Sequence, residues 1–204
     1  MSLALASVLA LKKVDYEYKA VNLIKDGGEH RSEEYKKVNP FSFLPALTVV
    51  RGDGSHTIVE SMAIIDYLEQ AYPHPSIYPK DPIDRARSIA IAESIVSGIQ
   101  PLQNLGVLNM VDKLGGDKNQ YAKDMMTEKF QSLEKVLRTT SGKYCVKDQV
   151  SIADVCLVPQ VYNAVRFGVE MGKYPAIKQI AERLEQEDAF KIAHPSNQPD
   201  TPRT

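Results

Sequence analysis

The stretch that decides the fold is NPFSFLPALTVVRGDGSHTIVESMAII, residues 39–65. Two β-rich runs flank the turn Gly52-Asp53-Gly54, which predicts a β-hairpin from about Ala46 to Val59. Pro45 stands directly before the first strand. A trans proline there would forfeit a ladder bond, whereas a cis Leu44–Pro45 bond would turn the chain and expose the Leu44 backbone N–H and C=O to a peptide-like ligand. The second strand runs straight into a predicted helix with Met62, Ile65, Leu68 and Glu69 at three- and four-residue steps. Ser61 and the first free amides of that helix would form a site for a carboxylate; the plain alternative is a strand-to-helix turn closed by a serine cap.

Upstream, Tyr16 to Leu23 alternates in β fashion and predicts another strand, and Ser32-Glu33-Glu34 predicts a short helix that Asn39-Pro40 ends. The opening MSLALASVLALKK, residues 1–13, lacks the basic n-region of a signal peptide and is too short to span a bilayer. It predicts a helix over Leu3–Leu11, with Lys12 and Lys13 placed to complement the helix C-terminus. Downstream, Pro73, Pro75, Pro79 and Pro82 mark a stiff linker, residues 73–81, between a mixed segment 1–72 and a helical segment 82–204. Asp81-Pro82 reads as a helix start, and helices are predicted over about 82–112, 119–139, 152–167 and 175–187. In DQVSIADVCLVPQV, residues 148–161, Ser151 and Asp154 read as a capping box with Val150 and Val155 as its staple, a folding device and not a catalytic pair. Pro159 is expected to kink that helix.

The 204 residues are 43% hydrophobic and 25% charged, as in an ordinary globular protein of one large or two small domains. A net charge of -1, with Lys/Arg clusters only two residues long, gives no footprint for nucleic acid, and no segment reads as a membrane span. Cys145 and Cys156 are too few for a disulfide framework, which fits a reducing cytoplasm. His30, His56, His74 and His194 have no metal-ligand spacing, so no metal is expected. The sequence carries no Gly-rich phosphate loop, nucleophile elbow or zincin helix. Any catalysis would borrow its reactive group.

The order of proline before a strand, hairpin, Glu60-Ser61 helix start, proline-rich linker and helical segment with a SIAD box resembles the cytosolic glutathione transferases. NLIKDGGE, AIIDYLE, GIQPLQNL, ADVCLVPQVYNAVRF and HPSNQPDTP resemble the zeta class, and the resemblance covers essentially the whole chain. It implies an α/β thioredoxin-like N-terminal domain over 1–72 plus an all-α C-terminal domain over 82–204, assembled as a homodimer. Glutathione is the implied cofactor and a small acidic unsaturated molecule the implied substrate. The family's ligand pattern falls on His30, on the Leu44 backbone, on Glu60 with Ser61, and on Gln100, Asn104, Leu105 and Gly106 in the helical domain. His30 and Glu60 stand where that pattern has glutamines. Arg166 matches an arginine that orients acidic substrates.

The implied chemistry is reversible thiolate addition, with cis–trans rotation in between. Zeta-class proteins activate that thiol with a Ser-Ser-Cys motif after their first strand. Aligned on LALKKVDYEY, residues 9–18, Met1 falls at that motif's cysteine, so the catalytic group itself is not assigned to a residue of this sequence. The missing strand is expected between Tyr16–Leu23 and Ala46–Val50. Two readings follow: an enzyme of which this is a shortened form, or a non-catalytic glutathione- or partner-binding relative of the same fold.

Overall fold

The computed structural model describes residues 2–199 and 201. The chain divides into two compact units, one running up to Pro75 and resuming at Asp188, the other spanning Ser76–Glu187. The boundary at Pro75 falls inside the proline-rich segment read from the sequence. The residues from 188 on, expected with the helical domain, instead group with the first unit because the helix Asp188–Ala193 packs there.

The first unit begins with α1 (Ser2–Leu11) and continues with α2 (Glu33–Val38), the strands β1 (Ala46–Arg51) and β2 (Gly54–Val59), and α3 (Ser61–Ala71). Helix α1 is apolar nearly all round because it is enclosed on more than one side: it packs against α3 and the helix Asp188–Ala193, burying Ala4, Leu5, Val8 and Leu9. Lys12, whose charge the sequence places at the C-terminus of α1, is buried there. Its fully buried ammonium donates to Glu69 Oε2 at 2.7 Å, Tyr72 O at 2.6 Å and Pro75 O at 3.1 Å, three acceptors for three N–H donors. The end of α1 is thereby tied to the end of α3.

β1 and β2 pair antiparallel with Ala46 opposite Val59 and Arg51 opposite Gly54, leaving Gly52-Asp53 as the turn. Helix α3 covers this hairpin with Ser61, Ile64, Ile65 and Leu68 inward, a face led by Ile64 and not by the expected Met62. The strand expected over Tyr16–Leu23 is not formed. Residues 15–20 are exposed and form no regular element, and no described residue pairs with them as a strand. Alternation supplies the side-chain pattern of a strand, but a strand also needs a hydrogen-bonded neighbour.

The second unit contains α4 (Pro82–Val96), a 3₁₀ turn Gln100–Gln103, α5 (Leu105–Lys113), α6 (Lys118–Thr140), α7 (Ile152–Arg166) and α8 (Pro175–Leu184). The single helix expected over 82–112 is broken. Pro101 has no N–H to continue the ladder, and a side chain at Gly98 would meet Ser94 O at 2.4 Å. The helix expected over 175–187 ends at Leu184, and α9 (Asp188–Ala193) belongs to the first unit. Every residue from Ser151 to Val161 is buried, so α7 is the core helix of this unit, packed on α4 and α8.

Caps fix where these helices start. Asp81 accepts the Ile83 and Asp84 amides at 3.0 and 2.9 Å, with Pro82 in the first turn as the sequence predicts. The Asp154 carboxylate takes the Ser151 N–H and hydroxyl at 2.8 Å each and the Cys145 N–H at 2.9 Å. Burial pushes this carboxyl above its ordinary range while those donors pull the other way. Helix α8 has no cap of its own; buried Glu134 on α6 accepts the Ala176 and Ile177 amides at 3.1 and 3.0 Å. Asp154→Ala would orphan two buried amides, and it is expected to lower stability by about 2–5 kcal/mol and Tm by roughly 5–15 °C, read by thermal denaturation.

Candidate functional site

The register of the hairpin brings two expected site elements together. With Ala46 opposite Val59, the next residues outward are Pro45 and Glu60, so Leu44 and Ser61 lie at one end of the sheet. The Leu44–Pro45 bond is cis. Neither the Leu44 N–H nor its C=O has a hydrogen-bond partner among the described residues. The preceding carbonyl is pinned twice, since Phe43 O accepts from Tyr35 Oη at 2.9 Å and from Asn39 Nδ2 at 2.8 Å. Asn39 Oδ1 also accepts the Phe41 N–H at 3.0 Å. Tyr35 and buried Asn39 therefore hold the loop that presents Leu44. The sequence marked Asn39 only as a helix stop.

Across the hairpin end, Glu60 is exposed and takes φ 69°, ψ 121°, a left-handed backbone uncommon for glutamate. It turns β2 directly into α3. The first helical bond is from Ile64 N–H to Glu60 O at 3.0 Å, so the amides of residues 61–63 remain open at the positive end of an eleven-residue helix. Ser61 is buried at 7% exposure beside them. The arrangement is a carboxylate site with a backbone pair next to it.

His30 lies in the same unit on a 3₁₀ turn, Glu29–Arg31. Its ring covers Gly28, whose φ is 103° and where a Cβ would come within 2.3 Å of His30 Cε1. Nδ1 is buried without a partner, and burial, helped by the Arg31 charge, lowers the imidazole pKa. The loop is set by Asn22, whose Oδ1 accepts the Ile24 and Lys25 amides at 2.9 and 2.8 Å.

The remaining expected residues belong to the helical unit. Gln100 opens the 3₁₀ turn with Oε1 buried and unbonded. Asn104 precedes α5 without using its side chain as a cap; Leu105 is 50% exposed and Gly106 is open, with nothing within 4 Å of a Cβ placed there. Leu108 N–H to Asn104 O, 3.0 Å, is the first bond of α5, so the amides of residues 105–107 are also free. Arg166 ends α7, exposed, its guanidinium 5.9 Å from the Phe167 ring and in no ion pair with a described residue. Gln103 and Gln160, which the sequence did not single out, form a 2.6 Å amide–amide bond in this unit.

The uncapped ends are informative. Helices α2, α4 and α6 receive a side-chain cap, α7 a capping box and α8 the Glu134 carboxylate, while α3 and α5 have no side-chain cap. The chain's own thiols offer no chemistry. Cys145 and Cys156 are buried, and burial raises both pKa values, that of Cys156 to about 12. Among the described residues no group of three or more His, Cys, Asp or Glu side chains could hold a metal ion.

Comparisons with known proteins place the chain in a family by sequence and by fold. The glutathione S-transferase N-terminal domain profile matches residues 2–71, and the C-terminal domain profile matches residues 109–192. Maleylacetoacetate isomerase of Mus musculus is 50% identical over 196 residues, covering 95% of this chain and 87% of that protein. A bacterial zeta-class maleyl pyruvate isomerase structure superposes with a TM-score of 0.91 at 34% identity, covering 98% of this chain and 95% of the other. The maleylacetoacetate isomerase of Anaeromyxobacter dehalogenans 2CP-1, solved with dicarboxyethyl glutathione and citrate in its active site, gives 0.88 at 36% identity, covering 100% and 94%.

The His30 environment has a pH consequence. The folded state disfavours the imidazolium, so the unfolded chain takes up the proton first, and the stability held above pH 6.5 is lost as pH falls through the lower folded-state pKa. NMR titration of the His30 ring is expected to give a midpoint below 6.5; a midpoint at or above it would contradict the buried Nδ1.

Proposed function

We propose, from the premise that this chain belongs to the zeta class of the glutathione S-transferase family, that it is a glutathione-dependent cis–trans isomerase of the maleylacetoacetate isomerase kind. Its place is in tyrosine and phenylalanine catabolism. The observation that carries this reading is the hairpin end, where an unbonded Leu44 backbone stands beside the uncapped start of α3.

The residues present fit glutathione. The Leu44 N–H and C=O match the acceptor and donor of a peptide unit, as at its cysteinyl residue. Ser61 and the open amides of residues 61–63 suit the γ-glutamyl carboxylate, and exposed Glu60 suits the ammonium beside it. The orphan His30 Nδ1 adds a polar contact. In the helical unit, the family pattern by itself assigns Gln100, Asn104, Leu105 and Gly106 to glutathione. Bound glutathione supplies a thiolate that adds reversibly to a conjugated double bond, allowing cis–trans rotation without net consumption. Arg166, exposed and without an ion pair among the described residues, holds a carboxylate of the small acidic unsaturated substrate. Neither buried cysteine competes as nucleophile.

We also infer a cytoplasmic homodimer. No helix among the described residues is long and apolar enough to cross a membrane. Helices α4 and α6 flank a groove of about 440 Å³ lined by Ala90, Ile91, Ser94, Leu133 and Val136, a face suited to a second copy of the chain. Light scattering is expected to give twice the mass of the 22.7 kDa chain, and a monomer at micromolar concentration would refute this assembly.

Turnover of maleylacetoacetate with sub-stoichiometric glutathione tests the main reading; glutathione binding without turnover would favour a non-catalytic relative. Ser61→Ala is expected to weaken glutathione binding by about 1.5–3 kcal/mol in calorimetry, because it removes a bond to a charged group. Arg166→Ala is expected to raise KM for acidic substrates about ten-fold or more while leaving glutathione affinity unchanged. Equal loss on neutral electrophiles would make Arg166 structural.

A further inference from the structure

Three glutamine amides of the helical unit, two of them bonded to each other and two carried on one 3₁₀ turn, have incomplete bonding. Gln103 Nε2 donates to Gln160 Oε1 at 2.6 Å, yet Gln103 Oε1 and Gln160 Nε2 are both buried without a partner among the described residues. Two primary amides facing squarely would close both bonds, one in each direction. Exchanging the N and O positions of both side chains leaves the same balance of one donor and one acceptor. The third amide is Gln100. It opens the 3₁₀ turn that Gln103 closes, and in that geometry side chains three apart eclipse one another. Gln100 Oε1 is likewise buried and unbonded, although the residue as a whole is half-buried.

The three amides thus offer two acceptors and one donor. That is the bonding capacity of a single water molecule, which donates two hydrogens and can accept a third bond. Gln160 lies within the all-buried run Val155–Val161 of α7 and has no exposed surface. Its Oε1 bonds Gln103 on the turn that also carries Gln100, and its Nε2, on the same amide carbon as that oxygen, is the free donor nearest the Gln103 contact.

We propose that Gln103 and Gln160 are positioning residues for Gln100. Together the three hold one ordered water that donates to Gln100 Oε1 and Gln103 Oε1 and accepts from Gln160 Nε2. Anchoring the Gln100 oxygen inward leaves its Nε2–H groups to face a ligand acceptor. This rests on the reading of Gln100 as a glutathione contact, and it adds residues that touch no ligand themselves.

Calorimetric titration of the full chain with glutathione tests it, using Gln160→Leu, Gln103→Met, Gln100→Ala and the Gln100→Ala/Gln160→Leu double variant. Gln160→Leu and Gln103→Met are each expected to weaken glutathione about three- to ten-fold, with no fall in melting temperature. In the double variant, Gln160→Leu should add nothing to the loss caused by Gln100→Ala. Parent-like binding by both single variants, while Gln100→Ala is weakened, overturns the positioning role and leaves the glutathione contact standing. Full additivity in the double variant, or a melting temperature that falls with affinity, also overturns it. Unchanged binding by Gln100→Ala removes the contact itself, and the proposal with it. Should Gln160→Leu fail to fold, Gln103→Met, at a half-buried position, carries the comparison with Gln100→Ala.

Discussion

Pairing of Ala46 with Val59 is the constraint on which the chemistry of the first unit depends. It places Leu44, two residues before the pair, beside Ser61, two residues after it. A slip of one residue would move the start of α3 by about 3.3 Å along the strand and turn each side chain of β2 to the opposite face. Ile58 and Val59, the partly covered residues of β2, face opposite sides of the sheet, so a slip would exchange which of them lies on the side that α3 packs against. Packing and site geometry are thus specified by one register. The Phe43 carbonyl, held by Tyr35 and Asn39, fixes the other half of the same corner.

Capping divides the helices into two groups. In one, a side chain bonds amides at the helix start: Asp81 for α4, Asp117 for α6, Asp154 at the Ser151 N-cap of α7, and Glu134 reaching from α6 to α8. Each such bond contributes about 0.5–2 kcal/mol. Helices α3 and α5 forgo that contribution. Glu60 has an acidic side chain that could cap, but its left-handed backbone does not use it so. Open amides in water cost little, and they become favourable once an anion arrives.

Much of this was legible because the signals are local. The turn Gly52-Asp53-Gly54, the proline before β1, Asp81-Pro82 and the Ser151–Asp154 box each act within a few residues, and each appears where the sequence places it. Failures came where a distant partner decides. Tyr16–Leu23 has the right alternation but no strand beside it, and Lys12 reads as a helix-end charge until Glu69 and two carbonyls of residues 72 and 75 enclose it. The Gln103–Gln160 bond joins residues 57 apart and leaves no mark in either local pattern. The break before α5 is different: Gly98 and Pro101 lie within the helix expected over 82–112, and the missing N–H of Pro101 is a local signal that the chain stops being α-helical there.

The buried polar atoms left unbonded are few, and they bear on where the ligand lies. His30 Nδ1, Gln100 Oε1, Gln103 Oε1 and Gln160 Nε2 are those found among the described residues. Each such atom costs about 1–3 kcal/mol if nothing meets it, against a total stability of roughly 5–15 kcal/mol for an ordinary domain. His30 and Gln100 are residues that the family pattern assigns to glutathione, and the other two atoms belong to the bonded pair Gln103–Gln160. A chain that buries nearly all its other polar side chains with partners, down to Lys12, Glu134 and Asp154, leaves three of these atoms to the proposed ordered water and His30 Nδ1 to an incoming polar group. At His30 binding would gain from ending an existing deficit as well as from making a new contact, while at the glutamines the water fixes the side chains beforehand, and both lower the cost of ordering the site when a ligand arrives.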